Sequence, residues 1–355
     1  MTEQELSAYI QAIRPADEAA MEAARRRQAQ LAKPPGSLGQ LEEISIRLAG
    51  VTGQVCPAMG KCRVAVFAAD NGVVAEGVSC TPPAVTLQQA VNMTFRKTGM
   101  SAMAAAFGDD VSVVDVGIDG DVPPVGVLDR KVRRGTGDIA REDAMTRQQV
   151  LDAMAAGMEQ AARARADGVT ALGIGEMGIG NTTTACAVAS VLLGRDPAAL
   201  VGRGSGLSNA AFLKKIQVLH KAVARNHPDP ADPVGVLASV GGLDLAALCG
   251  LCLGGAFIRL PVLLDGFIAD AAALCAVRLC PAAGDALLAS HVSAEPGAKA
   301  ILEGLGLSAP LCAGLRLGEG SGAVMALPLL DMALAVYHSG HTFGALGIDA
   351  YTPQH

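Results

Sequence analysis

Two carboxylates stand among glycines in positions where a buried acid could move a proton. Glu319 lies in Leu315-Arg-Leu-Gly-Glu319-Gly-Ser-Gly322, at the end of an apolar run and the start of a helical stretch. In a pocket walled by Leu315, Leu317 and Met177 its pKa would rise, as suits a general base; at a helix N-terminus the same residue could be a plain dipole partner. Glu176 lies in Gly173-Ile-Gly175-Glu-Met-Gly178-Ile-Gly180-Asn181-Thr-Thr-Thr184. Glycines there let backbone N–H groups approach an anion, and the helix that follows favours negative charge at its start. A second flexible loop, Gly202-Arg-Gly204-Ser-Gly206, precedes a helical run holding Lys214 and Lys215. A lysine facing a phosphate would add a point charge to such a cradle, although adjacent lysines are more often a solvated face.

The glycine segment also fits a dinucleotide fingerprint, Gly173-x-Gly175-x-x-Gly178, so a nicotinamide-dependent oxidoreductase using the 173–178 loop is the alternative reading. Against it, Glu176 would meet the pyrophosphate, and the acid about 20 residues on, Asp196, lies in a Gly-Arg-Asp-Pro turn rather than at a strand end. A non-catalytic nucleotide sensor is a third possibility, disfavoured by the two carboxylates. Other chemistries lack their residues. There is no Gly-x-x-x-x-Gly-Lys-Ser/Thr loop, no Gly-x-Ser-x-Gly elbow and no His-Glu-x-x-His pair, and the six histidines read as structural or exposed. Cys249-x-x-Cys252 sits inside an apolar stretch, where a thiol is a core residue rather than a redox centre.

The elements that must position these residues alternate. Short β-branched runs at 64–69, 111–114, 169–173, 261–264 and 286–289 each end in acidic or polar residues and are followed by helical stretches. This is the pattern of a parallel sheet with crossover helices, whose ligands bind outside the carboxyl ends of the strands. Residues 18–31 and 38–48 read as helices, the second capped by Ser37, and residues 323–337 return to helix. The expected fold is α/β: a Rossmann-like parallel β-sheet flanked by helices in a large domain (61–291), beside a small helical domain built from both chain termini (1–60 and 292–355).

With hydrophobic residues at 51%, charged ones at 17% and a net charge of −6, the 355-residue chain has ample material for a core and no basic face for nucleic acid. The most apolar stretch, 245–258, falls short of a membrane span, and residues 1–31 hold no signal-peptide core. A cytoplasmic protein is expected, consistent with nine cysteines mostly in apolar runs.

Lys33-Pro-Pro-Gly-Ser-Leu-Gly39, Asp70-Asn-Gly-Val-Val-Ala-Glu-Gly-Val78, Gly175-Glu-Met-Gly-Ile-Gly-Asn-Thr-Thr183, Val240-Gly-Gly-Leu-Asp244, Leu260-Pro-Val-Leu-Leu-Asp-Gly-Phe267 and Arg316-Leu-Gly-Glu-Gly-Ser-Gly322 stand in order along the chain. Together they resemble the nicotinate-nucleotide–dimethylbenzimidazole phosphoribosyltransferase family from about residue 14 to 341. The resemblance implies transfer of 5-phosphoribose from nicotinate mononucleotide to 5,6-dimethylbenzimidazole, by a homodimer, without cofactor or metal. It makes Glu319 the general base and Glu176 a second active-site acid. It places the aromatic base against Thr81, Gln89, Met177 and Leu317. The phosphate would meet Gly178, Ile179, Gly180 and Asn181, the loop at Gly202 and Gly204, and Lys215. Thr81 stands where members have Ser, Asn71 where a His can stand, and Met177 in place of Leu.

Overall fold

The computed structural model describes residues 1–122 and 126–351. Six strands, β1 (Cys62–Ala69), β2 (Asp110–Gly117), β3 (Val127–Asp129), β4 (Ala171–Met177), β5 (Val262–Leu264) and β6 (Leu287–Ala289), form one sheet in the order β3-β2-β1-β4-β5-β6. Every pairing is parallel. The order reverses direction between β1 and β4, which opens a crevice at their carboxyl ends.

The five expected strands are present, and β3 is an addition to them. It is a three-residue edge strand, with Val127 and Leu128 half-buried and Asp129 exposed, so it carries no continuous apolar run. β4 also runs further than its apolar stretch suggests. Val66, Phe67 and Ala68 of β1 pair with Gly175, Glu176 and Met177, so these residues are strand rather than loop.

Alternate residues of β1 feed two cores, as a pleat requires. Ala65, Phe67 and Ala69 join a cluster with the helices Arg147–Ala166, Asn181–Leu193, Leu243–Phe257 and Phe267–Leu279. Val64, Val66 and Ala68 join a second cluster with Glu18–Gln30, Gln40–Thr52 and Ser321–His338. Helices from the two ends of the chain therefore cover one face of the sheet together. The first helix, Glu3–Ala12, goes to the other side, where Tyr9 stacks on Phe257 with ring centroids 4.3 Å apart.

Ser37 caps no helix. The helix Gln40–Thr52 starts after Gly39 without a side-chain cap; Glu42 instead accepts from the Leu38 N–H at 3.1 Å and pairs with Lys33 at 2.6 Å. Ser321–His338 is long and apolar enough to cross a bilayer by length and composition, which the sequence reading did not find. Val324, Leu327, Leu330 and Tyr337 bury it in the second cluster. Cys249 and Cys252 are fully buried in Leu243–Phe257, and burial pushes both thiols well up, away from redox use.

The helices Arg147–Ala166 and Leu243–Phe257 touch backbone to backbone. An added Cβ at Gly157 would overlap the Ala247 carbonyl oxygen, and one at Gly250 that of Met154. Gly157→Ala would gain up to about 1 kcal/mol of helix propensity. It would lose more by forcing the helices apart, overpacking typically costing about 1–3 kcal/mol. Urea unfolding should therefore show a lower midpoint for Gly157→Ala; a raised midpoint would mean that the crossing is looser than this.

Candidate active site

A cavity of about 610 Å³ opens at the carboxyl ends of β1, β4, β5 and β6. Its most buried wall is built by Asp265, the residue after β5. The Asp265 carboxylate accepts from the Gly320 N–H at 3.0 Å and from the Gly322 N–H at 2.6 Å. These bonds fasten the turn that starts the helix Ser321–His338. Gly318, Glu319 and Gly320 all have positive φ (79°, 65° and 96°), a conformation strained for the non-glycine residue. The turn lies directly on the sheet: an added Cβ at Gly175 would overlap the Glu319 carbonyl, and one at Gly173 would stand 3.0 Å from the Ala323 Cβ.

Held this way, Glu319 is 7% exposed, and its Oε2 has no hydrogen-bond partner among the described residues. Burial raises its pKa, against the lowering effect of the Thr98 side chain and the Met100 N–H. Met177 and Leu317 line the same cavity, so the carboxylate sits beside apolar surface as the sequence suggested.

Glu176, at the end of β4, faces a different partner set. The Asn181 amide nitrogen donates both to Glu176 Oε2 and, at 2.9 Å, to Asp244 Oδ2. Burial, and then the charge of Asp244, push Glu176 up to about 8; burial likewise raises Asp244 to about 6. At neutral pH Glu176 therefore keeps its proton. Asp265 is also raised to about 6 by burial, its two N–H donors pulling the other way.

The structure brings Thr81, Gln89, Met177, Leu317, Glu176, Glu319, Gly204 and the run Gly178, Ile179, Gly180 and Asn181 to one cavity. Within that run the Ile179 N–H already donates to Thr86 Oγ1 at 3.1 Å and the Asn181 N–H to the Gly178 carbonyl at 3.2 Å. Gly202 and Lys215 stand behind the wall rather than on it. Lys215 is fully buried, and its ammonium donates to Thr182 Oγ1 at 2.9 Å and to the Gly202 carbonyl at 3.2 Å. Its neighbour Lys214 is the solvated one.

Three contributors escaped the sequence reading of the site. Asp265 and Asp244 were visible only as strand-end and motif residues, with nothing in sequence to say which N–H groups they would hold. His291 was grouped with structural or exposed histidines; it lines the cavity, 3% exposed, with Nδ1 3.0 Å from Ser290 Oγ, and burial lowers its pKa. A lone histidine at a strand end gives no spacing signal.

Residues 13–348 match the family model described as Phosphoribosyltransferase. A relative from Ruminiclostridium cellulolyticum, named nicotinate-nucleotide–dimethylbenzimidazole phosphoribosyltransferase, is 46% identical over 333 residues, 94% of this chain and 95% of its own. One of the same name from Geobacter metallireducens is 44% identical over 347 residues, 97% of this chain and 98% of its own. The chain belongs to this phosphoribosyltransferase family. The crystal structure of CobT from Thermus thermophilus matches it with a TM-score of 0.90 at 45% identity, covering 94% of this chain and 100% of that one.

In this phosphoribosyltransferase the dinucleotide fingerprint has another cause, and the oxidoreductase alternative falls. Gly173 and Gly175 make room for the Glu319 turn, and an added Cβ at Gly178 would meet the Ala69 carbonyl at 2.5 Å. The places of the missing side chains are taken by atoms of the protein itself.

The raised Glu176 carries a stability consequence. An unfolded glutamate ionises near 4.5, the folded one at about 8, so the folded chain holds an extra proton between those values. That contribution is present below the lower value and lost as pH rises toward the upper one, by at most about 1.36 kcal/mol per pH unit. Glu176→Gln has no proton to lose. Urea unfolding of the ligand-free protein at several pH values should show the variant gaining on wild type as pH increases; parallel curves would mean that Glu176 is ionised in the empty site.

Proposed function

We propose that the chain transfers 5-phosphoribose from nicotinate mononucleotide to 5,6-dimethylbenzimidazole, releasing nicotinate and forming α-ribazole 5′-phosphate. The observation that carries this reading is Glu319: a strained, buried carboxylate with an unpartnered oxygen beside the apolar side chains of Met177 and Leu317. That is the setting of a base awaiting a flat apolar molecule with one proton to give. Thr81 and Gln89 supply polar groups to the same cavity.

The azole nitrogen attacks the anomeric carbon opposite the pyridine. The bond from that carbon to the pyridinium nitrogen breaks, its electron pair stays on the ring nitrogen, and the azole N–H proton passes to Glu319. The leaving group arrives cationic and departs neutral at that atom, so the protein need not protonate it. Attack from the opposite face turns a β-linkage into an α-linkage. As positive charge grows on the ribose, Asp244, whose carboxylate shares the Asn181 amide with Glu176, supplies negative charge close to Glu176 with no proton to move. The phosphate reading rests on Gly178 to Asn181, the 202–204 loop and the buried ammonium of Lys215 behind it. The same reading makes the terminal segments a small domain and the working protein a cytoplasmic homodimer; exposed Phe107 and Met332 offer apolar surface for such contacts.

Glu319→Gln preserves shape and should leave the unfolding midpoint nearly unchanged. Turnover at saturating substrates, followed by chromatography of nicotinate, should fall about 10²–10⁴-fold, the range for a lost general base. A turnover close to that of wild type would assign the base elsewhere.

A second expectation concerns metals. Transferases that expel pyrophosphate need a divalent ion to neutralise the leaving group. Here the leaving group neutralises itself, and no group of three His, Cys, Asp or Glu among the described residues is arranged to hold a metal ion. Nicotinate release should continue undiminished in excess EDTA. Activity lost to the chelator and restored by Mg²⁺ or Zn²⁺ would overturn this account of the carboxylates.

A further inference from the structure

Lys215 is a buried ammonium without a counter-ion in contact. It is 0% exposed, its two hydrogen-bond acceptors, Thr182 Oγ1 and the Gly202 carbonyl, are neutral, and it forms no ion pair within 4.0 Å among the described residues. A buried charge left so is unfavourable and calls for an anion. One carboxylate is aimed at the same loop. Glu295 lines the cavity, and its Oε2 is buried with no hydrogen-bond partner among the described residues. It is packed so closely on Gly202 that an added Cβ there would overlap Oε2. Lys215, Arg316 and the Gly204 N–H all favour its ionised form, against burial.

The backbone beneath Glu295 is fixed. Its N–H donates to Ser293 Oγ at 3.3 Å, Pro296 follows it, and its carbonyl accepts from the Ala298 N–H at 3.0 Å.

We propose that Glu295 is the internal anion of the empty site, balancing Lys215 until a phosphate takes its place at the 202–204 loop. Glu295 then weakens phosphate binding instead of supporting it, and keeps Lys215 from being held in a bare, unpaired state between turnovers. The part concerning nicotinate mononucleotide rests on the transferase reading; the part concerning the anion site does not. A carboxylate that accepts hydrogen bonds from the ribose hydroxyls would have the opposite effect on affinity.

The test is calorimetric titration of the full chain with inorganic phosphate, for wild type, Glu295→Gln and Glu295→Asp. Removing one like charge at this range should tighten phosphate binding by about tenfold in Glu295→Gln. The shorter Asp, drawn back from the loop, should fall between, and serves if the amide variant does not fold. The Michaelis constant for nicotinate mononucleotide should fall with it, while that for dimethylbenzimidazole stays put. Equal or weaker phosphate binding in both variants would overturn the proposal. Tighter phosphate binding in a protein that releases no nicotinate would instead uphold the anion site and sink the transferase reading.

Discussion

The site depends on the grip of Asp265 on the turn that carries Glu319. A carboxylate buried at the end of β5 needs donors, and the Gly320 and Gly322 N–H groups are the ones it reaches. To present them, the chain runs three successive residues at positive φ, which for Glu319 stores strain of order 1–3 kcal/mol. To receive the turn, β4 gives up side chains at 173 and 175, a change that weakens a strand taken alone. Each feature is unfavourable by itself. Together they set a carboxylate against the sheet with one oxygen unsatisfied, an arrangement whose cost makes sense at a working site and not in a structural turn.

The same economy governs the charges. Glu176, Asp244, Asp265 and Glu319 are all nearly buried, and burial raises every one of them. Their environments still differ: Asp265 is bonded to two N–H groups, Glu176 and Asp244 share one amide, and Glu319 is left open on one side. Separate environments let one group stay ionised while its neighbour holds a proton, which is how acid and base roles divide. The basic side chains Arg203 and Arg316 line the same cavity, with Lys215 behind its wall. These basic groups suit the phosphate of the proposed donor.

Most of the fold was legible because parallel strands are buried on both faces and read as short β-branched runs ending in polar residues. β3 was illegible because an edge strand needs no such run, and the end of β4 was hidden because Gly175 and Glu176 contradict strand propensity. The Ser37 cap failed because the helix starts two residues later than read, after Gly39 and without a side-chain cap. At the site, glycine-flanked acids announced themselves by type. What a buried group touches did not: Lys215 and Lys214 are adjacent in sequence, yet one is enclosed and the other solvated. Asp265 and His291 acquire meaning only from the turns that fold over them.

The Gly-x-Gly-x-x-Gly pattern shows why a motif must be tied to the atom that fills the missing side chain's place. In a dinucleotide fold those glycines admit a ligand's pyrophosphate and a close helix. Here the first two admit the Ala323 methyl and the Glu319 carbonyl, and the third the Ala69 carbonyl, all from the protein itself. The sequence constraint is identical in both cases, because absence of a Cβ records only that something comes close. The difference lies some 140 residues further along the chain, in a turn that has to reach the sheet. Glu176 was the local hint. A carboxylate in the middle of the pattern is incompatible with a pyrophosphate but compatible with a neutral, proton-holding acid, and its burial beside Asp244 makes it one.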